Sequence, residues 1–583
     1  MKILKGTGAA GGYAAGMCCL YSGKSEAAVP HYAIREEDVD NEIKRLSEAY
    51  DKAVSDLEEL KDSGDIPEDS GTTYEIINAH KMILEDANLR KKVEALIAGK
   101  KNNAEHAVSD VYNHYAELMK GKSGRFSDLA HDMDDIKGRL LESFAGTNGH
   151  FECPVGDRQP VIVAAENLTP SMLMNIKREN VLGFVTRKGG LTTHATILAR
   201  SYRVPVVYNV DVRDNIECGM DMIVDGALGK VIIQPDEKTR SYYQRKIETF
   251  EKRQKVCSIR REEPVRTGAG TRIELMVNIT TAPEMSIVEG KPYDGVGLLR
   301  TEFLFSTRKA PPTEDEQYEM YMHILEEAGD RPVITRLLDI AGDKLPVYLE
   351  LPEQDNPDLG IRGARALEFF YDIYLAQVKA LMRCASEGDM RILYPMITDR
   401  SDIFSFGRLM KKAAAELKEQ NKKYNKNVKK GIMIETPSAA IMSGSLLEEV
   451  DFANIGSNDL LQYTLAAERG NSYVENKYHV MHPALVSLMR IVATEGEKHG
   501  KDICLCGEVA SFEEFYPLFL SMGLKKFSVA ASKFDDIKCH LMYEKDRGGS
   551  IVKDFMRLGD KKEIDVFFKR LSAEAQRAST AAE

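Results

Sequence analysis

Gly431-Ile432-Met433-Ile434-Glu435-Thr436-Pro437 and Asp451-Phe452-Ala453-Asn454-Ile455-Gly456-Ser457-Asn458-Asp459 are both short apolar runs that give way to an acid. A run of this length bounded by polar residues reads as a strand buried on both faces. Similar runs recur from residue 272 onward: Arg272–Ile279, Gly295–Thr301, Pro332–Ile340, Arg391–Ile397, Gly431–Glu435, Asp451–Gly456, Lys501–Gly507 and Lys526–Ala530. Helical stretches separate most of them. This beat fits a (β/α)8 barrel, with a doubly wound open sheet as the competing topology. The polar residues favour the barrel, because they cluster just past the strands: Arg300 and Glu302, Arg336 and Asp339, Glu435, Asn458 and Asp459, Cys506 and Glu508. In a barrel all these ends converge on one mouth, where barrel active sites are built.

Glu435 and Asp459 are hard oxygen donors at the ends of consecutive strands, a pair that suits Mg²⁺ completed by water and substrate oxygens. Arg300 and Arg336, joined by Arg469, offer planar forks for phosphate and carboxylate. Cys506 follows the seventh strand, placed to deliver a proton. Any one of these alone is more often a strand-end salt bridge. As a set they describe a site for a small, multiply anionic substrate held on Mg²⁺.

The N-terminal half carries a second signal, Gly189-Gly190-Leu191-Thr192-Thr193-His194-Ala195-Thr196-Ile197-Leu198-Ala199-Arg200. Two glycines make a turn, threonines can cap a helix, and His194 falls in the first helical turn. Orphan N–H groups and the helix dipole favour an anion there and keep the imidazole neutral and nucleophilic. A lone histidine near a helix start is ordinarily a cap or a surface residue. The barrel mouth changes that balance, since a phosphorylated substrate there and a separate nucleophilic histidine suggest a two-step phosphoryl relay.

Residues 152–233 alternate strand and helix signals and, with strand-like residues 1–22, form a compact α/β domain. Between them lie four helical runs, Glu42–Leu60, Tyr74–Ile97, Ala104–Met119 and Phe126–Phe144, read as an inserted bundle. Tyr242–Val256 is a polar helical linker. Residues 31–150 hold 16 Lys/Arg against 26 Asp/Glu, so most of the chain's net charge of −12 sits in the bundle. That is either a solvated surface or a docking face for a basic partner. The overall charge argues against nucleic-acid binding. No long apolar run or leader is present, so no membrane insertion is expected. Nine scattered cysteines are expected to be free thiols in the cytoplasm.

The His194 segment resembles the phosphohistidine signature of phosphoenolpyruvate-utilising enzymes. Gly297-Leu298-Leu299-Arg300-Thr301-Glu302-Phe303-Leu304-Phe305 resembles the second barrel strand of that family. Asp339–Lys344, Asn356–Arg362, Gly431–Pro437, Ile455–Leu460 and Leu505–Glu508 are similar to five further motifs. Length and the inserted bundle point to the enzyme I branch, which serves bacterial sugar phosphotransferase systems. A dikinase-type relative would need an ATP-binding module, and no Gly-rich, Lys-bearing segment of that size is present.

The resemblance implies a phosphohistidine swivelling α/β domain over residues 1–22 and 150–235. It implies a carrier-binding helical bundle over 31–145, a linker over 236–265, and a phosphoenolpyruvate-binding TIM barrel that also dimerises over 266–583. It implies that His194 accepts the phosphoryl group through Nε2, oriented by Thr169. Arg300, Arg336, Arg362, Asn458, Asp459 and Arg469 would bind phosphoenolpyruvate. Glu435 and Asp459 would hold Mg²⁺, and Cys506 would protonate the enolate to give pyruvate. The acceptor would be the small phosphocarrier HPr, and sugar uptake the outcome. Leu191, Thr193, Ala341, Asp355, Ile361 and Leu505 depart from the family pattern. They leave a second reading open, a regulatory paralogue that senses phosphoenolpyruvate and acts by binding partners.

Overall fold

Short apolar strands alternate with helices along much of this chain. The computed structural model divides it into two compact units, Met1–Lys255 and Val256–Glu583. It describes residues 1–21, 29–62, 77, 80–120, 125–145, 159–168, 172–173, 176, 178–188, 199, 202, 204–212, 215–226, 228–260, 262–306, 308–340, 345–346, 348–468, 471, 474, 477–544 and 548–580.

In the first unit, three N-terminal strands, β1 (Lys2–Lys5), β2 (Thr7–Ala10) and β3 (Tyr13–Tyr21), join five from beyond the helical segment. These are β4 (Val161–Ala165), β5 (Val181–Thr186), β6 (Val206–Tyr208), β7 (Asp221–Asp225) and β8 (Lys230–Ile233). The sheet order is β1-β8-β7-β3-β4-β5-β6-β2. The centre, β3 to β6, is parallel, and both flanks are antiparallel. Strand alternation sorts the sheet's two faces. Ile162 and Ala164 of β4 join Val185, Val207 and Val224 on one side. Val161, Val163 and Ala165 point the other way and share a core with the helices, among them Leu46, Val93, Val108 and Ile136.

Those helices are α1 (Val39–Asp62), α2 (Ala87–Lys100), α3 (Ala104–Lys120) and α4 (Arg125–Ala145). The helical run expected from Tyr74 to Ile97 is broken at Asp86. There the backbone turns extended and the carboxylate accepts from the N–H groups of Asn88 and Leu89. Asp competes well for exposed N–H groups at a helix start, so it begins a new helix instead of continuing the old one.

Helix α5 (Glu237–Ile259) leaves the first unit. Its near end is held there: Tyr243 Oη donates to Asp225 at 3.0 Å, and Lys246 Nζ lies 4.7 Å from the Tyr13 ring centre. Its last turn belongs to the second unit, where Cys257 is disulfide-bonded to Cys539. Cys19 is also in a disulfide. This corrects the expectation of nine free thiols. Partners 282 residues apart in the chain cannot be paired from spacing, and only folding brings their Cα atoms to 5.4 Å.

The second unit is a closed barrel of eight strands, all parallel. They are β9 (Glu274–Ile279), β10 (Val296–Leu299), β11 (Val333–Arg336), β12 (Met390–Tyr394), β13 (Lys430–Ile434), β14 (Phe452–Gly456), β15 (Asp502–Cys506) and β16 (Lys526–Ala530). Each of the eight apolar runs coincides with one of them, β12 and β13 starting one residue ahead of their runs. Around them lie α6 (Glu302–Ser306), α7 (Glu314–Ala328), α8 (Tyr371–Cys384), α9 (Arg400–Glu419), α10 (Pro437–Ile441), α11 (Ser443–Leu447), α12 (Ser457–Leu465) and α13 (Pro483–His499). The rest are α14 (Tyr516–Ser521), α15 (Phe534–Tyr543), α16 (Ser550–Phe555) and α17 (Lys561–Thr580). Alternation again divides the strands. Met276, Leu298, Ile334, Leu393, Met433, Phe452, Cys504 and Cys506 fill the barrel interior, while their neighbours pack outward under the helices. Among the described residues no helix is long and apolar enough to cross a membrane.

Candidate active site

The strands' C-terminal ends bring six of the residues singled out above to the barrel mouth, and a connecting loop brings a seventh. Arg300 follows β10, Arg336 ends β11, Glu435 follows β13, Asn458 and Asp459 open α12 after β14, and Cys506 ends β15. Arg362 comes from the long connection between β11 and β12. Thr169, His194 and Arg469 lie outside the described residues.

Arg336 and Arg362 are the positive framework. Arg336 Nη2 donates to Glu302 at 2.8 Å, and its Nη1 lies 3.7 Å from both Asp339 and Glu435. Burial works against its charge, but Glu302, Asp339, Glu435 and Asp459 outweigh it and hold the guanidinium cationic. Its buried Nε has no hydrogen-bond partner among the described residues. A buried donor left over on a fixed cation is an invitation to an anion. Arg362 clasps Asp339 with Nε at 3.2 Å and Nη2 at 2.7 Å, and its Nη1 reaches Asp459 at 3.1 Å and Tyr463 Oη at 2.9 Å.

Glu435 is buried. One carboxylate oxygen accepts the Met396 N–H at 2.7 Å, and the other faces Arg336. Burial first, then the nearby Asp459, push its pKa up to about 8. Gly456 makes this possible at the end of β14, since a Cβ there would stand 2.9 Å from Glu435 Oε2. Among the described residues no group of three or more His, Cys, Asp or Glu is arranged to hold a metal. Glu435 and Asp459 are hard carboxylate donors that could hold a cation such as Mg²⁺, which keeps several waters and takes substrate oxygens.

Cys506 is buried in the barrel interior, with Sγ 3.3 Å from the Ile455 carbonyl oxygen and 3.7 Å from Met433 Sδ. Burial, and after it Glu435, push the thiol up to about 12, against the pull of Arg336 and Arg300. At neutral pH it carries its proton. Asn458 donates to Glu508 Oε1 at 3.1 Å and accepts the Glu508 N–H at 3.0 Å, which ties the start of α12 to the end of β15.

Three supporting residues were not legible beforehand. Met396 sits at φ +52°, a strained setting for a residue with a side chain, and its N–H holds Glu435. Gly363, at φ +53°, packs against it so closely that a Cβ would fall 2.4 Å from Met396 Cβ. Tyr463 touches Arg362 from α12. The glycine directly after Arg362 and the i, i+4 spacing of Asp459 and Tyr463 were the only signals available.

Three family models match the chain in order: the N-terminal domain of phosphoenolpyruvate-utilising enzymes over residues 5–125, their mobile domain over 157–229, and their phosphoenolpyruvate-binding domain over 254–545. The chain belongs to the phosphoenolpyruvate-utilising enzyme family. It is 34% identical over 499 residues to the phosphoenolpyruvate-protein phosphotransferase of Priestia megaterium, covering 85% of this chain and 86% of the relative. With the phosphoenolpyruvate-protein phosphotransferase of Bacillus subtilis (strain 168) it shares 31% identity over 572 residues, 98% of this chain and 99% of the relative. A solution structure described as enzyme I (nEIt) aligns with 42% of this chain and 99% of its own, at 33% identity and a TM-score of 0.36.

Proposed function

We propose that this chain is a phosphoenolpyruvate-protein phosphotransferase of the enzyme I type. The carrying observation is the barrel mouth itself, where Arg336, Arg362, Glu435, Asp459 and a protonated Cys506 converge. Arg300, Arg336 and Arg362, with Asn458 and Arg469, bind the phosphate and carboxylate of phosphoenolpyruvate. Glu435 and Asp459 hold Mg²⁺, which when bound supplies positive charge to the phosphate and enolate oxygens.

Phosphoryl transfer needs in-line placement and charge on the equatorial oxygens more than covalent help. His194 Nε2 attacks phosphorus as the bond to the enolate oxygen breaks. The enolate carbon takes the Cys506 proton, and pyruvate leaves. Thr169 orients the histidine. Helix α5 joins the unit that carries His194 to the barrel unit, and a swing about it would carry the histidine between donor and acceptor. The acidic bundle, residues 31–145, would dock a basic carrier of the HPr type, whose own histidine takes the phosphoryl group toward sugar uptake in the cytoplasm. Exposed apolar side chains on the barrel unit, Ile441 at 66% among them, favour a homodimer through that unit.

The test is ³²P transfer from labelled phosphoenolpyruvate with Mg²⁺. Wild type is expected to label and His194→Ala to stay unlabelled. No label on wild type, or equal label on the variant, rejects the proposal.

A further inference from the structure

Helix α12 offers one face to the loop that carries Arg362. Asp459, Gln462 and Tyr463 stand at i, i+3 and i+4, so their side chains lie together. Each makes a different bond to that loop. Asp459 accepts from Arg362 Nη1 at 3.1 Å, and Gln462 Nε2 donates to Asp358 Oδ2 at 3.0 Å. Tyr463 Oη accepts from Arg362 Nη1 at 2.9 Å and donates to the Asp358 carbonyl at 2.6 Å. One hydroxyl thus joins both ends of the short segment Asp358–Arg362.

The two acids on Arg362 are not equivalent anchors. Asp339 is buried below it and holds the Nε edge of the fork. Asp459 is at the mouth, among the groups a bound ligand would engage. When Asp459 turns to a ligand, the Tyr463 oxygen is the partner Nη1 keeps among the described residues. We infer that Tyr463 is a positioning residue: its hydroxyl keeps Arg362 and the 358–362 loop aimed at the mouth, so that an anionic substrate finds the guanidinium already in place. Preorganisation of this kind acts on binding more than on the chemical step. Tyr463 is half-buried, and its ring is walled from water enough to raise the hydroxyl pKa, so the group stays a neutral donor in the physiological range. Gln462 does the lesser part, holding the far end of the same loop through the Asp358 carboxylate.

The inference rests on the phosphotransferase reading, and the experiment separates the two. Steady-state pyruvate release is measured with phosphoenolpyruvate, Mg²⁺ and a carrier for wild type, Tyr463→Phe and Gln462→Ala. Tyr463→Phe removes both hydrogen bonds of the hydroxyl, to Arg362 and to the Asp358 carbonyl, and the one to the charged guanidinium alone is worth about a tenfold change. The expected result is a KM for phosphoenolpyruvate about tenfold higher with kcat within about twofold. Gln462→Ala is expected to raise KM a few-fold. A second measurement takes phosphoenolpyruvate binding by calorimetry in the His194→Ala background, where the substrate is not consumed, and Tyr463→Phe should weaken it by the same factor. KM within about twofold of wild type in Tyr463→Phe overturns the inference, whatever happens to Gln462→Ala or to melting temperature. A wild-type chain that releases no pyruvate overturns the phosphotransferase reading and this inference with it. A purely structural tyrosine would lower the melting temperature and leave KM alone.

Discussion

The guanidinium of Arg362 meets the carboxylate of Asp339 fork on fork, Nε to Oδ1 at 3.2 Å and Nη2 to Oδ2 at 2.7 Å. Both residues are buried. The pair therefore acts as a fixed base from which Nη1 reaches over to α12. Burial works against the Arg362 charge, yet Asp339 and then Asp459 raise its pKa and keep it cationic. A cation so held is ready for an anionic substrate without reorganising.

Arg362→Lys keeps the charge and loses the fork. An ammonium cannot hold both Asp339 oxygens and still reach Asp459. The variant is expected to lose about 1–3 kcal/mol of stability, because a buried carboxylate is left with a poorer partner. Its kcat/KM for phosphoenolpyruvate should fall by at least about 100-fold. Chemical denaturation and steady-state kinetics check the two parts separately.

Cys506 makes a pH prediction with a definite sign. Its thiol lies at about 12 in the fold, against an ordinary value of 9.0. The folded chain keeps a proton that the unfolded chain loses first. The resulting stability is fully present below about pH 9 and is lost as pH rises through about 12. Iodoacetamide at pH 9 should leave Cys506 unmodified in the native protein and modify it after denaturation, while exposed Cys218 reacts in both. Cys506→Ala should cut pyruvate release by about 10²–10⁴.

Gly363→Ala tests the support beneath Glu435. The position has φ +53°, and the added methyl would meet Met396 Cβ at 2.4 Å. Met396 must then move, and its N–H with it. A loss of about 1–3 kcal/mol is expected. Activity should fall further than the stability loss explains, which is read by comparing kcat at a temperature where both proteins are fully folded.

The disulfide between Cys257 and Cys539 closes a loop of 282 residues. It fastens the last turn of α5 to α15, where Lys538 Nζ also donates to the carbonyls of Arg260 and Glu263. Cys257→Ser should lower the stability of the barrel unit by about 2–4 kcal/mol. Dithiothreitol should shift the barrel unit's own transition in wild type by the same amount and leave that transition unchanged in the variant, where any remaining response comes from the separate disulfide of Cys19.

The barrel was legible because strands buried on both faces leave continuous apolar runs, and β/α units repeat them. Glu435, Asp459, Arg336 and Cys506 were legible for a related reason: the residue just past a barrel strand must stand at the mouth. The break at Asp86 was not visible in periodicity, because both sides are helical and only a local cap separates them. Met396 and Tyr463 were hidden more deeply. One contributes a backbone N–H, which every residue type carries, and the other a common aromatic on an ordinary helix.

The amino-acid sequence alone determined the order of the parts, the barrel, and which strand ends carry charge, because those depend on local pattern and on topology that pattern implies. Only the tertiary structure decided how the charges pair: Arg362 on Asp339, Arg336 on Glu302, Glu435 on the Met396 N–H, Cys257 on Cys539. Each joins residues far apart in the chain or at unremarkable spacing. Their partnership exists only where chain closure has already brought the backbones together.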